Sequence, residues 1–105
     1  MKKSLPYTFL FFLYLNHFSF GQSGIIGTVI DGDFNEPMPF ANILIKETGT
    51  GVTSDFDGKY FFELPAGTYS VQFSFVGYET KIITEIEVGI GEYTITDTEI
   101  GRAHV

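Results

Sequence analysis

The sequence predicts an all-β protein, a seven-stranded β-sandwich preceded by a signal peptide. Three observations point there. A basic start and an apolar run occupy residues 1–21; the rest divides into short segments of alternating apolar and polar side chains separated by Gly, Pro and Asp; and no window has the period of a helix. Turn signals recur roughly every eight to twelve residues, the spacing of a two-sheet sandwich.

Residues 1–21 are read as the signal peptide. Lys2 and Lys3 precede an apolar run from Leu5 to Leu15, and Ser19 and Gly21 supply the small side chains that a signal peptidase accepts, placing the cut before Gln22. The competing reading, an uncleaved membrane anchor, needs ~20 consecutive apolar residues, and Asn16 and His17 interrupt the run. The chain has no Cys, which excludes a lipid-modified N-terminal cysteine and a disulfide framework, so cohesion has to come from the core. Cleavage leaves about 84 residues, enough for one domain that buries roughly 60% of its unfolded surface. It also removes two lysines and no acids, taking the balance from 6 basic and 13 acidic residues to 4 and 13, a net charge of −9. Such a surface argues against nucleic acid and anionic lipid as partners and keeps an exported domain solvated.

The expected domain covers residues 22–98. Gly24 to Asp31 reads as the first strand, closed by Asp31-Gly32-Asp33, with Asn35, Pro37 and Pro39 in the following loop. From Phe40 to Glu47, Ala41, Ile43 and Ile45 share one face and Asn42 and Lys46 the other, with Leu44 out of pattern. Val52 to Ser54 and Lys59 to Leu64 read as the arms of a hairpin whose tight turn takes two positive-φ residues from Asp57-Gly58. Tyr60, Phe62 and Leu64 then face one way and Lys59, Phe61 and Glu63 the other; Pro65-Ala66-Gly67 turns the chain. Thr68 to Val76 is the clearest strand, with Tyr69, Val71, Phe73 and Phe75 alternating against Ser70, Gln72 and Ser74, and belongs in the centre of a sheet. After a turn at Gly77, Tyr78 to Val88 directs Ile82, Ile86 and Val88 inward, and Ile83 breaks the alternation. Gly89-Ile90-Gly91-Glu92 forms a loop, and Tyr93 to Thr98 makes the last strand, with Tyr93 and Ile95 inward. Residues 99–105 are set apart as a truncated or artefactual tail. Ile100-Gly101-Arg102-Ala103-His104-Val105 is the kind of ending that one frame of a common sequencing-library adapter yields, so the reading frame is expected to run off a DNA fragment.

Catalytic chemistry lacks its usual parts. His17 falls in the signal peptide and His104 in the tail, so the domain has neither His nor Cys: a Ser nucleophile has no customary base, and zinc has no customary nitrogen or sulfur ligand. Asp55 and Asp57 form the one familiar carboxylate pair, at a turn where a pocket that shifts their pKa is not expected. Thr53-x-Asp55-x-Asp57-Gly58 also resembles the start of a calcium loop, in which acids two apart aim at one ion. Thr53 stands in place of the first acid, however, and Leu64 in place of the closing glutamate. Turn building is the stronger reading of these residues, with Asp55 accepting local backbone N–H bonds. No catalytic, cofactor-binding or metal residue is therefore expected. Phe34, Phe56 and Phe61, in loops or on the less buried face, are candidates for an apolar docking patch; ordinary exposed aromatics account for them equally well. Phe61 is the one expected to be covered by a neighbouring loop or domain.

Five blocks in order, Gly27-Thr28-Val29-Ile30-Asp31, Glu36-Pro37-Met38-Pro39-Phe40-Ala41-Asn42-Ile43, Gly51 to Tyr60, Gly67-Thr68-Tyr69 and Phe75-Val76-Gly77-Tyr78, resemble the carboxypeptidase regulatory-like domain. The resemblance covers nearly the whole mature chain. It implies an immunoglobulin-like/transthyretin-like sandwich with no activity and no cofactor of its own. It also implies a setting: in Bacteroidota such a domain commonly follows the signal peptide of TonB-dependent outer-membrane receptors, ahead of the plug and barrel. The leading expectation is a non-enzymatic interaction module of such a nutrient receptor, on the periplasmic side of the outer membrane. Its partners would be the downstream plug and barrel domains or other periplasmic and outer-membrane proteins, with no nucleic acid, and with the membrane reached only through the parent receptor. A free-standing secreted binding or adhesion domain, and the accessory domain of a secreted metallocarboxypeptidase, are the alternatives.

Overall fold

Alternation with a period of two builds strands along most of residues 22–103, the part of the chain that the computed structural model describes. The expected signal peptide with His17, and His104 and Val105, lie outside the described residues. Nine strands form two sheets, with no helix among the described residues. β1 (Gly24–Asp31) is the axis of the first sheet. Along one edge it pairs antiparallel with β5 (Lys59–Glu63) and then with β2 (Glu36–Pro37); along the other it pairs parallel with β8 (Tyr93–Ile95) and then β9 (Thr98–Ile100). The second sheet, in the order β4 (Thr50–Thr53), β3 (Asn42–Ile45), β6 (Gly67–Ser74) and β7 (Lys81–Val88), is antiparallel throughout.

The core lies between the sheets. Ile25, Val29, Tyr60, Phe62 and Leu64 from the first meet Ile43, Ile45, Tyr69, Val71, Phe73, Ile86 and Val88 from the second, and the Tyr60 ring packs edge-on to Phe73 at 5.6 Å. Phe73 and Val71 are wholly inaccessible to solvent; burying one such side chain is worth roughly 1.5–3 kcal/mol, the term that lets a domain of this size fold without disulfides. The expected inward quartet faces the core, with Phe75, past the end of β6, half-buried against it and against Tyr78.

One bulge and one choice of face correct the expected facing of side chains. In β7, Ile86 pairs with Tyr69 but Ile83 pairs with Val71, so Thr84 and Glu85 share the place opposite Ser70 and Glu85 takes φ +57°. One inserted residue reverses parity: Ile83 turns inward with Ile86 and Val88, and Ile82, expected inside, is exposed beside Gln72. The expected last strand divides at Thr96-Asp97 with its register against β1 unchanged. Thr96 N–H donates to the Ile26 carbonyl (2.8 Å), and the Asp97 carboxylate, standing in for a backbone carbonyl, accepts the Thr28 N–H (2.9 Å). Along this single register Tyr93 and Ile95, expected inward, lie beside Gly24 and Ile26 on the outer face, and Thr98 and Ile100 are the residues buried. With the short β2 in the Pro-containing loop, this division turns seven expected strands into nine. β9 also carries the fold beyond the limit expected at residue 98, since Ile100 is buried beside β1.

The expected hairpin is a corner. β4 pairs with β3 and β5 with β1, so its two arms belong to opposite sheets. Ser54 diverts the chain: its N–H donates to the Ala41 carbonyl (3.0 Å), and its buried Oγ accepts the Ala41 N–H (2.8 Å) and donates to the Met38 carbonyl (2.6 Å). These bonds tie the chain to the 38–41 loop at the seam and away from β5's free edge.

Candidate functional site

The turn that follows Ser54 is built by its own acid. Asp55 Oδ1 accepts the N–H groups of Asp57 (2.9 Å) and Lys59 (2.8 Å), the Asp55 carbonyl accepts the Gly58 N–H (2.9 Å), and the Asp55 N–H donates to the Lys59 carbonyl (2.9 Å). Gly58 alone of the Asp57-Gly58 pair has positive φ, +77°, and its carbonyl accepts the Val29 N–H (2.7 Å). A Cβ there would stand 2.6 Å from the Val29 oxygen, so the close approach of this turn to β1 requires glycine. The Asp55 carboxylate is thus occupied with backbone, as the turn reading expects. Among the described residues, no group of three or more His, Cys, Asp or Glu side chains is placed to hold a metal ion.

Two further polar contacts close the sandwich. Tyr78 Oη donates to Asp31 Oδ2, while Asp31 Oδ1 accepts the Asp33 N–H (2.9 Å), joining the β6–β7 loop to the end of β1. The tyrosine hydrogen bond, helped by backbone N–H groups, holds the Asp31 carboxyl below its ordinary range, and the same bond raises the Tyr78 phenol. Tyr60 Oη donates to the Thr96 carbonyl above Gly27, whose missing Cβ leaves room for both groups. Burial, reinforced by the nearby Asp97, pushes the Tyr60 phenol well above its usual value. Asp31 with Tyr78, Ser54 with Ala41, and Gly58 with Val29 each join separate blocks of the sequence pattern.

The expected Phe34–Phe56–Phe61 patch is divided between two surfaces, while exposed Ile82 and Ile90 lie apart from both. Phe61 lies on the outer face of the first sheet, directly across from Ile26, which in turn faces Ile95. Its ring meets Tyr93 at 5.6 Å, so β8 supplies its cover, and it stays half exposed. Phe34 and Phe56 instead occupy loops at one end of the sandwich. That end gathers the loop after β1, the 38–41 loop, the Asp55 turn and the β6–β7 loop, as the pairings Asn42 with Thr53 and Ser74, and Thr28 with Lys59, require. Two residues the sequence reading passed over join them there: Phe40, whose ring packs edge-on to Phe56 at 5.2 Å, and Val76. Exposures are 57% for Phe34, 53% for Phe40, 78% for Phe56 and 88% for Val76. The run Pro39-Phe40-Ala41 held a partial signal, since a large apolar residue beside a proline loop has no guaranteed place in the core.

The sequence profile of the CarboxypepD_reg-like domain matches residues 25–104. The chain is 37% identical over 82 residues to TonB-dependent receptor P3 of Formosa agariphila, which takes in 77% of this chain and 8% of the receptor. It is 31% identical over 69 residues to TonB-dependent receptor SusC of Bacteroides thetaiotaomicron, 66% of this chain and 7% of that protein. Identity to the carboxypeptidase N catalytic chain of Rattus norvegicus is 38% over 82 residues, 78% of this chain and 18% of the enzyme chain. The chain therefore spans a small fraction of each relative. Among solved structures, the Bacillus anthracis TIE protein shares the fold, with a TM-score of 0.62 at 21% identity over 79% of this chain and 17% of that one. With most of its length matched and both sheets in place, the chain belongs to the CarboxypepD_reg-like domain family, a non-catalytic β-sandwich module.

Proposed function

We propose that this chain is a non-enzymatic interaction module at the start of a TonB-dependent outer-membrane nutrient receptor. It is exported, lies on the periplasmic side of the outer membrane, and contacts the plug and barrel that follow in the same polypeptide. The observation that carries this reading is the similarity to receptors many times longer than the chain, across most of the domain. The structure is in keeping with it: the signature residues Asp31, Ser54, Gly58 and Tyr78 are spent on corners and seams, while apolar rings stay exposed on loops.

A second reading, the accessory domain of a secreted metallocarboxypeptidase, draws on the similarity to the carboxypeptidase N chain. The complete reading frame, recovered on longer genomic sequence, separates them. Plug and barrel sequence downstream supports the receptor, a zinc-ligand motif supports the peptidase, and a stop codon near residue 100 supports a free-standing secreted binding domain. The same experiment tests whether residues 100–105 are translated adapter: codons for them that persist and are followed by a stop refute that.

A further inference from the structure

We infer that the loop end of the sandwich, tipped by Phe34, Phe40, Phe56 and Val76, is the face on which the next domain of the same polypeptide sits. This rests on the receptor reading above and gives it a surface. Four loops contribute one exposed apolar side chain each, and all four loops lie at one end. At the opposite end the loops carry Thr48, Gly49, Ala66 and Gly91, with Ile90 the one large exposed apolar side chain among the described residues. A cluster of this kind on a soluble domain marks a contact surface.

Backbone strain falls at the same place. Phe40 has φ +62°, a conformation that a bulky L-residue rarely adopts, and its ring is half exposed against Phe56. Folding thus holds a ring outward at a position where Gly or Asn would be relaxed, which core packing does not explain.

Topology and charge select the occupant. β8 and β9 both run parallel to β1, so the backbone travels toward this end as it leaves the last strand, and whatever follows is delivered beside the four side chains. The loops around them carry Asp33, Glu36, Asp55, Asp57 and Glu79 against Lys59, Lys81 and the Asp33-paired Arg102. A partner that fits is an apolar hollow rimmed by Lys and Arg. A second copy would set acid against acid, and an anionic bilayer would repel the same rim.

The test is site-specific photocrosslinking in the complete parent receptor, in its own membrane, with Phe56→p-benzoylphenylalanine compared against the same replacement at Ile90 and at Phe61. The expected result is an intramolecular product from position 56 that mass spectrometry maps to the plug, absent from position 90 and lost when Phe40→Ser and Val76→Ser are added. Products to the plug from position 90 or 61 but not 56 overturn the inference, as do products from 56 to lipid alone or to a differently tagged second copy. A reading frame without a plug overturns the receptor reading itself, and so is distinguished from a plug that is present but lies against another face.

Discussion

Ser54→Ala tests the corner that sends β4 and β5 into different sheets. Ser54 is 1% exposed; its Oγ accepts the Ala41 N–H at 2.8 Å and donates to the Met38 carbonyl at 2.6 Å. Deleting that oxygen strands one backbone donor and one backbone acceptor out of reach of solvent. Each unpaired buried group costs about 1–3 kcal/mol, so the two together cost about 2–4 kcal/mol after modest relaxation. That is a large share of the roughly 5–15 kcal/mol that holds a native domain. With a urea m-value of about 1 kcal/mol/M for so small a chain, the midpoint falls by about 2 M or more at unchanged m. Ser74→Ala, on the outer face of β6, is the control and shifts stability by less than about 0.5 kcal/mol. Amide exchange adds a local reading, since the Ala41 N–H loses its protection in Ser54→Ala ahead of the β3–β6 ladder. A loss for Ser54→Ala no larger than the control's refutes the argument, because the hydroxyl would then not be what anchors the seam.

Other expectations follow from the same geometry. Gly58→Ala combines φ +77° with a Cβ 2.6 Å from the Val29 oxygen; it should cost about 2 kcal/mol or more, and an unchanged melting temperature would show that β1 yields easily. Phe73→Ala empties the centre of the core and should cost about 3–5 kcal/mol by chemical denaturation, whereas Phe56→Ser, on a loop, should be near neutral; equal losses would mean that the two burials are misassigned. The Asp31 carboxyl sits below the ordinary aspartate value of 3.8 in the folded protein. Its contribution is therefore present above that pH and is lost as pH falls through the lower folded value, while Tyr60, raised above 10.0, withdraws stability as pH climbs past 10.0. Asp31→Asn should flatten the acid limb of a stability–pH curve, and an unaltered limb would contradict the Tyr78 assignment. Calcium should leave the melting temperature unchanged, because Asp55 Oδ1 is already committed to two backbone N–H groups; a rise with added calcium would reinstate the metal reading.

Much of the fold was legible because burial imposes a period. Tyr69, Val71 and Phe73 alternate with Ser70, Gln72 and Ser74 in the chain and in the sheet alike, and Tyr60 and Phe62 face inward as their spacing requires. The errors arise where the partner strand decides which face is inward. Ile82 was misplaced because the bulge at Thr84-Glu85 is fixed by the pairing partner, and Tyr93 and Ile95 because the register against β1, unbroken from Tyr93 to Ile100, puts Thr98 and Ile100 on the inward face; no local composition announces either. The corner at Ser54 has the same origin: Asp55 to Gly58 encode a tight turn, but which sheet each arm joins is decided by Met38 and Ala41, at least a dozen positions upstream. The docking candidates show the limit most clearly, since Phe34, Phe56 and Phe61 look alike in the sequence, and only folding puts two of them with Phe40 and Val76 and the third against Tyr93.

By itself the sequence determined the strand-forming periods, the absence of thiols, and the glycine that the turn after Asp57 requires. Tertiary structure alone decided register, which arms share a sheet and which apolar rings remain in water. Those depend on contacts between residues far apart in the chain, and a local period of two is the same whichever partner a strand finds.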